Sequence, residues 1–181
     1  MKIVLATPLY PPEIMEPAPY SKEVAKRLSL ENEVTIVAYA HLPETISGVR
    51  ILTIEKHQPR FIRLFSYFVT LLRTAHAGDV IYAVNGISVE LPVALVALVT
   101  RRPLVFYIGD MAAHERTKRD PILRLIESFA FSCAKKIVTE APLARPEILP
   151  FEPHPEKAFE AYEASWNSHL RHLIHVFNHV I

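Results

Sequence analysis

Short, uninterrupted apolar runs alternate along this chain with longer amphipathic segments, and that alternation constrains the fold more than any other feature. A continuous apolar strand is buried on both faces, which a parallel sheet covered by helices provides. The runs predict strands at residues 2–7, 33–38, 49–54, 79–84, 103–108 and 136–139. The amphipathic stretches predict helices at residues 21–30, 60–77, 88–100 and 121–134, and a last helix running from about Pro155. The 39–48 connection is too short for a covering helix, so a loop joins the second strand to the third. The expected class is α/β, a doubly wound, mostly parallel sheet of about six strands with helices on both faces.

A chain of 181 residues, half of them hydrophobic, can bury one sizeable core. Its four glycines test the parse: Gly48 and Gly78 stand just before strands, Gly86 and Gly109 just after them. None lies between Met1 and Ser47, where a dinucleotide fingerprint would need backbone amides close to a pyrophosphate. That argues against NAD, FAD and P-loop chemistry, and no cofactor is expected. Lys plus Arg number 20 against 19 for Asp plus Glu, so no global field favours nucleic acid. A single Cys133 in an apolar stretch points to packing and a reducing, cytoplasmic setting. The apolar start after Lys2 is too short for a signal-peptide core, and residues 93–99 fall short of the roughly 20 needed to cross a bilayer.

Ligands of open α/β sheets bind beyond the carboxyl ends of the strands. The stretch Tyr107-Ile108-Gly109-Asp110-Met111, followed by His114-Glu115-Arg116, ends a strand with a glycine and a carboxylate at such a place. The alternative is an ordinary strand-to-helix turn, with Gly109 supplying a positive φ and Asp110 capping the next helix. The first strand leads into a loop carrying Pro8, Pro11, Pro12, Pro17 and Pro19. Five fixed φ angles make that loop stiff, either as a cap over the sheet edge or as a preformed wall of a cleft.

Residues 2–14, the run Tyr20-Ser-Lys-Glu-Val-Ala-Lys-Arg-Leu28 and Glu33-Val-Thr-Ile-Val37 resemble the start of the retaining GT-B transferases of glycosyltransferase family 4. Asp79-Val-Ile-Tyr-Ala83, Arg102-Pro-Leu-Val105 and Gly109-Asp110 with Glu115-Arg116 resemble later strands of the same domain. The resemblance implies an acceptor-side Rossmann-like domain over 1–150, with Asp110 as the catalytic residue. It also implies substrate contacts from Pro12, Met15, Glu16, Asn85, Gly86, Ser88, Gly109, His114, Glu115 and Arg116. The implied partners are a nucleotide sugar and a sugar or lipid-linked acceptor, with no metal.

Two departures stand out. Where the family usually has two glycines against the donor phosphates, this chain has Met15-Glu16, placing a side chain and a negative charge there. The family's nucleotide-holding second domain is missing from these 181 residues. Instead, residues 151–181 form a Pro-rich linker and an amphipathic helix whose Ala164-Ser165-Trp166 resembles the opening of the family's last, crossover helix. The expectation is a transferase-like domain not competent alone. The alternative is a non-catalytic scaffold or interaction domain, an excised or engineered fragment. No Gly-x-Ser-x-Gly elbow supports a hydrolase.

Two helices complete the expectations. The last should bury Phe159, Tyr162, Trp166, Leu170, Leu173, Ile174, Phe177 and Ile181 on one face, with His172, His175 and His179 in solvent on the other rather than holding a metal. Segment 59–78 has no acidic residue and carries Phe61, Ile62 and Phe65 beside Arg60 and Arg63. It fits either a core helix, the favoured reading, or a helix lying on a membrane surface. Met15 and Met111 mark an exposed surface for self-association.

Overall fold

The computed structural model describes residues 1–109, 111–143 and 155–181. Six strands, β1 (Lys2–Thr7), β2 (Glu33–Tyr39), β3 (Val49–Ile54), β4 (Val80–Val84), β5 (Leu104–Tyr107) and β6 (Lys136–Val138), form one sheet in the order β3-β2-β1-β4-β5-β6. Every pair is parallel, with Lys2 opposite Glu33, Ala6 opposite Ala83, and Val84 opposite Tyr107. The expected class is therefore the observed one. The chain reverses its strand order between β1 and β4, the position at which such sheets open a crevice at their carboxyl edge.

Among the described residues six helices surround the sheet: α1 (Ala18–Leu28), α2 (Arg60–Ala77), α3 (Glu90–Thr100), α4 (Met111–Arg119), α5 (Pro121–Cys133) and α6 (Pro155–Val180). On one face, Tyr20, Val24 and Leu28 of α1 share a core with Trp166, Leu173, Val176 and Phe177 of α6. On the other, Tyr67, Leu71 and Ala75 of α2 pack with Val93, Val96 and Ala97 of α3 and with Ala130 of α5. Asp120 starts α5 by accepting hydrogen bonds from the amides of Ile122 (2.8 Å) and Leu123 (3.2 Å), a local reason for the break after α4. The boundary expected near residue 150 lies outside the described residues.

Several expectations need correction. Helix α4 is not among the helices expected from the apolar pattern, because its MAAHERTKR sequence carries no apolar stripe, and it starts where the alternative strand-to-helix reading of Gly109-Asp110 puts a helix. Among the described glycines only Gly48 has a positive φ, at 77°, so the positive φ expected of Gly109 is not found. What holds Gly109 is steric, because a Cβ there would run into the buried Tyr107 ring. The core reading of α2 fails in its first turns, where Phe61 is 86% exposed and Phe65 68%, with Ile62 also open to solvent. Along α6 the buried face is rotated from the expected stripe. Phe159 and Ile181 are exposed, whereas Val176 and His169 are buried.

The two ends of α6 should therefore respond differently to truncation. Phe177→Ala should cost about 3–5 kcal/mol in denaturant unfolding, as for other buried aromatics. Phe159→Ala should stay within roughly 0.5 kcal/mol, as for surface positions. Equal losses would contradict the packing of α6 described here.

Candidate functional site

The carboxyl edge of the sheet is built by two connections and one helix. In the first, Tyr10 buries its ring in the α1-side core, and Thr7 donates through Oγ1 to the Leu9 carbonyl (2.9 Å) while sharing a hydrogen bond with Ser21 Oγ (2.8 Å). Glu13 forms an ion pair with Lys56. The proline loop is thus pinned at several points. Pro12 and Glu16 are exposed, and Met15 is 63% exposed.

In the second connection, Asn85 is buried and bonds across to the β5 end in two ways. Its amide nitrogen donates to the Tyr107 carbonyl (3.0 Å), and its Oδ1 accepts from the Gly109 amide (3.0 Å). Gly86 lies against the proline loop so closely that a Cβ would sit 2.6 Å from Pro8 Cγ. Glycine is required at this close approach. Ser88 contributes its carbonyl, which accepts from the Tyr39 hydroxyl at 3.3 Å.

The third element is the middle of α6. Ser165 Oγ accepts from the Leu143 amide (2.9 Å), fixing the segment that follows β6. Arg27 forms two hydrogen bonds to Glu163 (2.8 and 2.6 Å) and one to Glu23 (2.7 Å), with its guanidinium 5.3 Å from the Trp166 ring centre. The Glu163 bonds hold the guanidinium pKa well above its usual value. Tyr20 stacks on Tyr107 with ring centres 4.1 Å apart, and its hydroxyl bonds both Tyr82 and His169 Nε2, the latter at 2.7 Å.

These pieces enclose a cleft of about 240 Å³ lined by Tyr20, Tyr107, Trp166 and Tyr162, by the carboxylate-bearing Glu16 and Glu23, and by Gly109 and residues 141–143. Burial first, and the Glu16 charge second, push the Tyr107 hydroxyl up to about 12. Trp166 Nε1 is buried with no hydrogen-bond partner among the described residues.

Of the expected site residues, the structure brings Glu16 and Gly109 into this cleft, with Asn85 and Gly86 directly behind them. It does not bring His114 and Glu115 there. His114 Nδ1 instead bonds Glu127 at 2.7 Å, and exposed Glu115 pairs with Lys118 at 2.6 Å. Asp110 and the side chains of Met111 and Arg116 lie outside the described residues. Sequence reasoning missed His169, Glu90 and Glu127. Glu90 alone had a readable signal, standing four residues after Gly86, whose amide its Oε1 accepts at 3.2 Å.

No protein-family model matches the chain, and no curated protein matches it. Solved structures do. HepE of Anabaena in complex with UDP-glucose superposes with a TM-score of 0.56 at 17% identity, over 91% of this chain and 40% of that one. HepE with UDP and glucose gives 0.53 at 18%, over 84% and 47%. With UDP alone the values are 0.51 at 23%, over 76% and 37%. The fold is Rossmann-like and is shared with these structures. The chain spans less than half the length of these structures.

Behind Gly86, Glu90 is 2% exposed, and burial, reinforced by the Glu127 charge, pushes it up to about 7. A free Glu ionises near 4.5. Between those values the folded protein holds a proton the unfolded chain has lost, so stability falls as pH rises, by on the order of 3 kcal/mol. Glu90→Gln keeps an acceptor for the Gly86 amide and removes this cost. It should match the parent near pH 4.5 and exceed it by a few kcal/mol at pH 8. An advantage independent of pH would show that Glu90 ionises normally.

Proposed function

We propose that this chain is the acceptor-side domain of a glycosyltransferase-like protein, and that the cleft between the proline loop and α6 holds a saccharide ring. The observation that carries the reading is the composition of the cleft. Flat aromatic rings from Tyr20, Tyr107 and Trp166 suit the C–H faces of a sugar, and the carboxylates of Glu16 and Glu23 suit its hydroxyls. At about 240 Å³ the cleft is smaller than the roughly 300 Å³ at which pockets for drug-sized ligands begin. It suits one ring and not a whole nucleotide sugar. Glu16 in the cleft mouth further opposes phosphate. The bound UDP-glucose and glucose of the HepE structures support a sugar-handling role.

In this reading Asp110, next to Gly109, orients the reacting hydroxyl, while Pro12, Met15, Asn85, Gly86, Ser88 and Arg116 flank the acceptor or donor. Membrane contact through segment 59–78, self-association through the Met15 face, and a cytoplasmic location belong to the same reading.

Trp166 is the sole tryptophan of the chain and lines the cleft, so its fluorescence reports occupancy. Neutral monosaccharides should quench or shift it saturably, with affinities around the mM range, roughly 4 kcal/mol of binding. UDP should bind more weakly, and Glu16→Gln should narrow the gap. The 181-residue chain assayed alone should show no glycosyl transfer. No response to any sugar, or UDP binding that outcompetes sugar in the parent protein, would overturn the reading.

A further inference from the structure

The amino edge of the sheet, opposite the cleft, holds a second pocket whose lining the strand register dictates. Paired residues of neighbouring parallel strands turn their side chains to the same face, and so do residues two apart along a strand. Ala6, Val37 and Leu52 form one such row and pack into the α2-side core. The row before it is Val4, Thr35 and Arg50, and before that Lys2 stands opposite Glu33. These side chains therefore face α2 as well. The second half of α2 lies over them with Thr70, Arg73 and Thr74. Polar groups thus stand where the helix–sheet core would otherwise continue, and they border a space of about 320 Å³.

The charges of this lining do not balance. Its one carboxylate, Glu33, lies 3.6 Å from Lys2, and Asp79 close by accepts from the Lys2 backbone amide at 2.7 Å. Arg50 and Arg73 form no ion pair among the described residues. Arg73 stands near the C-terminus of α2, where a cation offsets the helix dipole, but Arg50 on β3 has no such role. Two guanidiniums bordering one space repel unless an anion lies between them, and their planar forks match phosphate oxygens. Thr74 Oγ1 is taken up by the Thr70 carbonyl (2.8 Å), whereas the hydroxyls of Thr35 and Thr70 make no hydrogen bond among the described residues. Each can donate to and accept from a ligand hydroxyl. We propose that this pocket binds the phosphate monoester of a small polyhydroxylated molecule, a sugar phosphate in size and chemistry. Arg50 and Arg73 hold the phosphate, and Thr35 and Thr70 meet the hydroxyls. The site lies at the other edge of the sheet from the cleft, and the inference does not depend on what the cleft binds.

The test is calorimetric titration of the full chain at pH 8 with glucose 6-phosphate, inorganic phosphate and sulfate. Glucose 6-phosphate should bind saturably at one site, roughly tenfold more tightly than either inorganic anion. Trp166 fluorescence should stay unchanged, because that ring lines the cleft. Arg50→Gln and, separately, Arg73→Gln should each weaken binding several-fold. Both arginines are exposed, so their replacement leaves folding intact, which circular dichroism would verify. Thr35→Val should reduce the advantage of the ester over inorganic phosphate, and Glu33→Gln should strengthen the binding of all three anions. No binding of glucose 6-phosphate, or an affinity equal to that of sulfate, an adventitious ion only, would overturn the proposal. So would binding that the arginine variants leave unchanged, or binding that Glu16→Gln strengthens, which would place the ester in the cleft.

Discussion

One buried junction holds the architecture of the carboxyl edge together: the hydroxyl of Tyr20 set between Tyr82 and His169. It joins the first helix, a central strand and the last helix, and Tyr20 extends it to β5 by stacking on Tyr107. The polar atoms fix one another's roles. His169 is deeply buried and also bonds the Glu140 backbone, whose carbonyl can only accept. With Nε2 taken by Tyr20, a neutral His169 carrying its proton on Nδ1 would have Nε2 accept from Tyr20 and Tyr20 accept from Tyr82. A chain of hydrogen bonds with a single consistent direction suits a low-dielectric core, where an unmet donor is costly. Tyr20 and the Tyr107 ring stacked on it are also cleft walls, so the packing of α6 and the shape of the site are linked.

The chain carries its electrostatic tension just behind that edge. Glu90 and Glu127 are both buried, with His114 bonded to one and the Gly86 amide to the other. Like charges at close quarters in a dry environment favour the neutral form of one partner. Glu16, by contrast, is exposed at the cleft, where water screens it, yet its field reaches Tyr20 and Tyr107. The structure thus separates an ionised carboxylate facing the ligand space from a protonatable one supporting the loop beneath it.

Much of this was legible in the sequence because burial on both faces of a parallel strand leaves continuous apolar letters. Ile3, Val4 and Leu5 or Val80, Ile81 and Tyr82 admit no other reading once helices alternate with them. The glycine and proline boundaries, and the loop between β2 and β3, followed from the same logic. The site was legible only in outline. Glu16, Asn85, Gly86 and Gly109 converge because strand ends converge, which topology dictates. His169 looked like a polar interruption in an apolar stripe, since its burial depends on Tyr20, a residue 149 positions away. His114 and Glu115 are adjacent in sequence but lie on different sides of α4, whose existence no apolar period announced. The exposed start of α2 was misread because a wide apolar arc looks the same whether it meets a sheet or is left open.

The protonation state of His169 tests the central junction most directly. Burial, with His172 nearby, lowers its pKa from the usual 6.5 to about 4. Nitrogen-15 NMR of the imidazole at pH 6 should show a neutral ring with the proton on Nδ1, unchanged down to about pH 5. A ring that is cationic at pH 6, or one carrying its proton on Nε2, would contradict the hydrogen-bond direction and with it the account of how α6 builds the cleft.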